Sequence, residues 1–192
     1  QTQLVIDPVK PPILVNLEDY LKRSDNNQLE ILNLKEGQVL PFAQTSVQIQ
    51  GAAGTQLKIL VNGAEVHEKQ RGKLAILEDQ RKQGVEYVGV ELQTGKNTLQ
   101  VQQLDLFGTV RESQSITVIV PGGVHQLKIN QPNQLVMANG RDVLQIAVQL
   151  QDKQGVKVAT RTQLTLESDL GLIDLQDMNP NEPGIQTFID GG

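Results

Sequence analysis

Few residues in this chain of 192 are of the kinds that carry chemistry. Cysteine is absent, which excludes thiolate metal sites, cysteine nucleophiles and disulfide frameworks together. His67 and His125 are the only histidines, and no His-x-x-x-His or comparable cluster spaces imidazoles for zinc. Each reads as a solvated loop histidine, with a metal ligand or general base as the sharper alternative. Asp174, Asp177, Asn179, Asn181, Glu182 and Asp190 form an oxygen-rich stretch. A hard cation takes about six to eight oxygens from a preset loop, and the EF-hand spacing is missing here. The stretch therefore reads as a polar loop stiffened by Pro180 and Pro183, with calcium the alternative. Gly51-Ala52-Ala53-Gly54 lacks the Lys-Ser/Thr end of a phosphate loop and reads as a tight strand connection. Lys69, Arg71, Lys73, Arg81 and Lys82 concentrate positive charge between 69 and 82, either as solvated surface or as a partner surface. No nucleophile stands beside a base, so the reading is of a protein that is not an enzyme and needs no cofactor and no metal.

Composition narrows the partners. The formal net charge is −5, so no basic field exists to hold a phosphate backbone. Trp is absent and Tyr and Phe are few, leaving little for base stacking or a membrane belt. No apolar run approaches the roughly 18–20 residues of a membrane helix. The expectation is no nucleic acid and no direct membrane insertion by this segment. Charged residues at 20% and apolar residues at 38% place the chain among globular rather than disordered sequences. With neither an initiator Met nor a signal peptide, Gln1 is read as a cut or processed end. Lack of Cys fits a reducing cytosol and an exported fold without disulfides equally well.

The elements that would position these residues are strands. Val47-Gln48-Ile49-Gln50, Leu57-Lys58-Ile59-Leu60-Val61, Ile116-Thr117-Val118-Ile119-Val120, Leu144 to Gln151 and Leu164-Thr165-Leu166-Glu167 alternate apolar with polar residues or keep large apolar residues in phase. That period suits a half-buried antiparallel strand, whose successive side chains point to opposite faces. Asn62-Gly63 supplies a hairpin pair in which both residues take positive φ. Asp105-Leu106-Phe107-Gly108 and Asp152-Lys153-Gln154-Gly155 have the Asp…Gly frame of a type I turn, and Asn139-Gly140 marks another. Leu99 and Val101 have one parity and Leu104 and Leu106 the other, which predicts a bulge or bend near Gln102-Gln103. Leu17 to Leu21 has the makings of one helical turn and Leu29-Glu30-Ile31 of an opening strand. His67 to Gln83 reads as an extended insertion with a short helix or strand at Leu74–Leu77.

Short strands with turn signals about every ten residues predict β-sandwiches. Pro121-Gly122-Gly123 is the best internal boundary. The domains expected are an extended linker over 1–28, a sandwich over 29–121, and a second sandwich over 122–192. The last has strands only around 127–129, 135–137, 144–150, 164–166 and 185–189. It reads as incomplete, and the native polypeptide is expected to continue past Gly192.

Val61-Asn62-Gly63-Ala64-Glu65-Val66, Tyr87-Val88-Gly89-Val90-Glu91-Leu92, Gly95-Lys96-Asn97-Thr98-Leu99 and Asp105-Leu106-Phe107-Gly108 follow one another in order. Downstream come Leu135 to Arg141, Gln149 to Val158 and Thr165-Leu166-Glu167 to Gly171. The series resembles bacterial Ig-like domains of the invasin/intimin type, found in large outer-membrane and cell-surface proteins. The likeness covers about residues 29 to 192, with Asn139 where the family has Asp and Lys157 where it often has Pro. It implies an all-β fold of tandem immunoglobulin-like sandwiches and an extracytoplasmic location at the bacterial surface, outer membrane or periplasm. It also implies a structural spacer or stalk, whose partners are neighbouring domains of one larger chain, an outer-membrane β-barrel and a protein on the cell surface. An adhesin-type module binding a protein or glycan is the alternative, and exposed edge strands would permit strand addition. Some surface Ig-like domains form a Lys–Asn isopeptide bond. Lys58 and Asn97, on or near strands, are the candidate pair, although Lys58 faces away from the Leu57/Ile59/Val61 side.

Overall fold

The computed structural model describes residues 9–130, 136–137, 139–169 and 171–191. Among these the chain is mostly β, with thirteen strands in several sheets and one short helix, α1 (Leu17–Arg23). It separates into two compact units, residues 11–120 and the described residues outside that range. The division falls between Val120 and Pro121, and the first unit begins at Pro11 rather than at Leu29.

The first unit contains β1 (Glu30–Ile31), β2 (Gln38–Val39), β3 (Gln44–Ala52), β4 (Gln56–Val61) and β5 (Ala64–Glu65), then β6 (Arg71–Leu77), β7 (Lys82–Glu91), β8 (Gly95–Leu104) and β9 (Val110–Val120). One sheet has the order β1-β3-β7-β6 and the other β2-β9-β8-β4-β5. All their pairings are antiparallel except that of β2 with β9. The alternation read from the sequence explains why the two sheets face each other. Val47 and Ile49 of β3 and Val85 and Tyr87 of β7 join Leu57 and Ile59 of β4 and Leu99 and Val101 of β8 in one buried cluster. Each such side chain contributes on the order of 1.5–3 kcal/mol when fully buried. The Tyr87 hydroxyl crosses the interior to donate to the Leu57 carbonyl at 2.9 Å. Burial pushes its pKa above the ordinary tyrosine value.

The local expectations fare differently from element to element. Asn62 and Gly63 both have positive φ, 51° and 85°, and turn β4 into β5. The register shift lies between Gln103 and Leu104, but the extra residue is Arg111 of β9, because Gln103 faces Glu112 while Leu104 faces Val110. The charged insertion is more regular than expected: a 3-10 turn at Glu68–Gln70 leads into the seven-residue edge strand β6. An extended linker over 1–28 is not what residues 17–23 form. They make α1, capped by the Asn16 side chain accepting from Asp19 N at 3.2 Å, with Leu17 and Leu21 buried. Spacing of four puts both leucines on one face of the helix.

In the second unit β10 (Gln126–Asn130) pairs with β11 (Ala147–Gln151), and β12 (Arg161–Leu166) pairs with β13 (Ile185–Asp190). Leu150, Val158 and Ile189 are its buried cluster, with Val148 and Leu164 packed against them. Among the described residues the strand expected from Leu144 is seen from Ala147, which faces Asn130 of β10. Val136 and Met137 are not in a strand, and Leu135 lies outside the described residues.

Candidate functional site

The residues singled out by their chemistry are not brought together. His67 caps the 3-10 turn, its Nδ1 accepting from Lys69 N at 3.0 Å, and it belongs to the first unit. His125 is an exposed residue of the second, its backbone N–H donating to Gln151 O. In the oxygen-rich stretch, Asp177 Oδ1 accepts from Asn179 N at 3.0 Å and Gln186 N at 3.1 Å, which makes it a loop-closing group. Asp190 instead pairs with Arg161 at 3.3 Å, and that guanidinium lies 4.3 Å from the centre of the Phe188 ring. Among the described residues no three His, Cys, Asp or Glu side chains are grouped to hold a metal ion.

Two amides of the Gly51–Gly54 segment are already committed. Ala52 N donates to Gln103 Oε1 at 2.8 Å and Ala53 N to Arg81 O at 2.9 Å. A Cβ at Gly51 would meet Gln103 Oε1 at 2.6 Å and Leu57 Cδ2 at 2.7 Å, so those side chains would have to shift. Lys58 and Asn97 stay apart in the register, Lys58 facing Gln102 and Asn97 facing Val118. Lys58 pairs with Glu65 at 2.9 Å. Asn97 is fully buried and accepts from Asn62 Nδ2 and Gln93 N while donating to Gln93 O and Gly95 O. Of the basic residues, Lys69, Lys73 and Arg81 are exposed, whereas Lys82 is buried and donates to the Ser24 carbonyl.

Two features do bring residues together. The first is a polar seam on the outer face of the β1-β3-β7-β6 sheet. Gln48, Gln50, Lys82 and Glu86 are all buried there, beneath residues 15–26. Gln48 holds the backbone of Val15 at both ends, accepting from its N–H at 2.8 Å and donating to its carbonyl at 3.0 Å. Gln50 Nε2 donates to Asn26 Oδ1 at 2.8 Å and Glu30 Oε2 at 3.2 Å. Gly84 lets α1 approach: a Cβ there would lie 3.3 Å from Leu17 Cδ2 and 3.4 Å from Leu21 Cδ1. The amides of Gln48 and Gln50 stand on the polar side of an alternating strand, and only the four-residue spacing of Leu17 and Leu21 hinted that something apolar would cover that side.

The second is the β8–β9 turn. Asp105 Oδ1 accepts from Phe107 N and Thr109 N, each at 2.9 Å, and Oδ2 pairs with Arg111 at 2.6 Å. These bonds, first that from Thr109, hold its carboxyl below the ordinary carboxylate pKa. The turn so fixed presents Leu106 and Phe107 at 88% and 93% exposure. The Asp…Gly frame was legible as a turn; two adjacent large apolar residues at its centre were the signal for the display.

No protein-family model matches the chain, and no curated protein matches its sequence.

Proposed function

We propose that residues 11–120 form an immunoglobulin-like sandwich and that the chain is a non-catalytic spacer module of an exported bacterial surface or outer-membrane protein. The observation that carries this reading is one apolar core enclosed by two sheets of order β1-β3-β7-β6 and β2-β9-β8-β4-β5. That arrangement matches the two-sheet plan of immunoglobulin domains, the second sheet extended by β2 and β5. The candidate polar groups also favour a structural role, since Asn97, Asp105 and Asp177 are engaged in closing turns. Residues 121–192 are read as part of a second such domain, continued by neighbouring domains and an outer-membrane anchor. The test is replacement within the whole surface protein. Exchange of residues 11–120 for an unrelated sandwich of equal length should preserve display of the remaining parts, and deletion should impair it. If the exchange is as harmful as the deletion, length is not what the unit supplies.

The adhesin-type reading is favoured by one feature, the rigid Leu106-Phe107 tip. Aromatic and aliphatic anchors on preorganised loops are the usual energetic centres of protein recognition. Binding to arrayed surface proteins or glycans that is lost with Leu106→Ser/Phe107→Ser would support it. Binding unaffected by that change would remove the tip as its basis.

A further inference from the structure

We infer that residues 11–28 are a releasable strap. Under tension they peel from the first unit while its sandwich stays folded, and the chain then joins the sandwich at the opposite pole. The purpose of such a strap rests on the spacer reading; its geometry rests on the first unit alone.

Val120, where the chain leaves the unit, faces Gly95, and the neighbouring Ile119 accepts from Leu40 N. Pro11, Pro12 and Leu14 line a shallow cavity of about 200 Å³ together with Leu40, Pro41 and Phe42. The chain therefore arrives and departs at the same pole. From there it climbs the outer face beside β3: Val15 against Gln48, α1 over Gly84, Ser24 on Lys82, Asn26 on Gln50. At the far pole, where Ala52 faces Lys82, it turns back as β1, with Glu30 facing Gln50.

The strap and the sandwich are held by different means. Leu17 and Leu21 are buried but belong to neither the inter-sheet cluster nor its partly buried fringe, because they lie on the other side of the sheet. Beyond them the strap has a few side-chain hydrogen bonds. The inter-sheet cluster begins at Leu29 and draws on both sheets. A pull on Pro11 loads the strap contacts one after another. Once they are released the load reaches β1 at the far pole and runs along the strands, so the β1–β3 and β2–β9 ladders share it. Sub-global openings of weakly packed segments at lower free energy than the core are general in proteins. Released, residues 11–28 span up to about 60 Å. The β9 strand sets the pole-to-pole distance at about 35 Å. The reserve approaches about 90 Å, against about 370 Å when all of 11–120 unravels.

Single-molecule pulling on the full chain tests this, with handles on Lys10→Cys and Gly123→Cys. The chain has no other cysteine, and a side chain at Gly123 meets open space. The expected record is a short, low-force lengthening followed by the long step of sandwich unfolding. Gly84→Val, which crowds Leu17 and Leu21, and separately Leu17→Ala/Leu21→Ala should remove the short step or move it to lower force, with the long step unchanged. A single long step in the wild type, or a short step that neither variant alters, overturns the strap. If Gly84→Val also loses the long step, the double alanine variant decides by the same criteria, since its changes lie outside the core. The spacer reading falls instead on the domain-exchange experiment, so the two failures are distinguishable.

Discussion

The turns at Asp105–Gly108 and Asp152–Gly155 are nearly the same object in two settings. In each, the glycine N–H donates to the aspartate carbonyl at 3.0 Å, and Oδ1 accepts two backbone N–H groups at 2.9 Å. They differ in Oδ2. At Asp105 it meets Arg111 on an exposed hairpin, whereas at Asp152, which is buried, it accepts from Gly122 N at 2.9 Å. The units around them differ far more. The first turn joins two strands of a sheet over a core drawn from both sheets of its unit; the second sits, among the described residues, beside three buried apolar side chains and two two-stranded sheets. Leu127 and Ile129 share a face with Leu150 and Val148, yet both are exposed. Equal local turn chemistry thus accompanies unequal burial, and burial is what sets stability.

Substitutions can break this contrast. The largest effect is expected from Leu150→Ala. Loss of about 2–5 kcal/mol at this fully buried position should lower the midpoint of the second unit's unfolding. The first unit should keep its midpoint, which tyrosine fluorescence reads cleanly because Tyr20 and Tyr87 both lie in it. Ile49→Ala should lose a similar amount while leaving a cooperative, lower-midpoint transition. Asp152→Ala comes next, at about 2–3 kcal/mol, because the N–H groups of Gly122, Gln154 and Val156 lose their acceptor. The matched Asp105→Ala should cost less, since its turn is open to water. Tyr87→Phe should cost about 1–1.5 kcal/mol, followed by circular dichroism, through the lost inter-sheet hydrogen bond.

The smallest effect is the pH dependence. Burial raises the Asp152 pKa, but the bonds from Gly122, Val156, Gln154 and Gly155 outweigh it and leave the carboxyl below its ordinary 3.8. A depressed folded-state pKa gives stability that is present above about pH 4 and lost as pH falls through the folded value. Asp105 and Asp142 shift the same way. Acid titration should therefore weaken both units below about pH 4, and Asp152→Asn should flatten that response in the second. An unchanged slope would remove Asp152 as its source.

How much of the fold was legible in the sequence follows from how far each signal reaches. Period-2 alternation depends only on neighbours, so β3, β4, β9 and β12 could be placed from it, and Asn62-Gly63 named its own turn. The bulge was visible as a parity change in β8, but the inserted residue, Arg111, lies on the partner strand, which parity alone does not reveal. Segment 11–28 looked like linker because its prolines and charges outnumber its two inward leucines. Its fold comes from Gln48, Gln50 and Gly84, distant in sequence, and only pairing of β3 with β7 puts them on one face. The candidate chemistry suffered similarly: which residues meet is decided by register, and register separates Lys58 from Asn97.

Native-state hydrogen exchange on the full chain, read strand by strand, tests whether one inter-sheet core holds the first unit together and dominates the molecule's stability. Amides of β3, β7, β8 and β9 should be the most protected and should exchange at a common free energy equal to that of the tyrosine-monitored transition, with β10 to β13 opening at lower free energy. Protection of β10 to β13 as strong as that of β3 and β8, or exchange of the first unit's two sheets at separate free energies, would show that no single core does so.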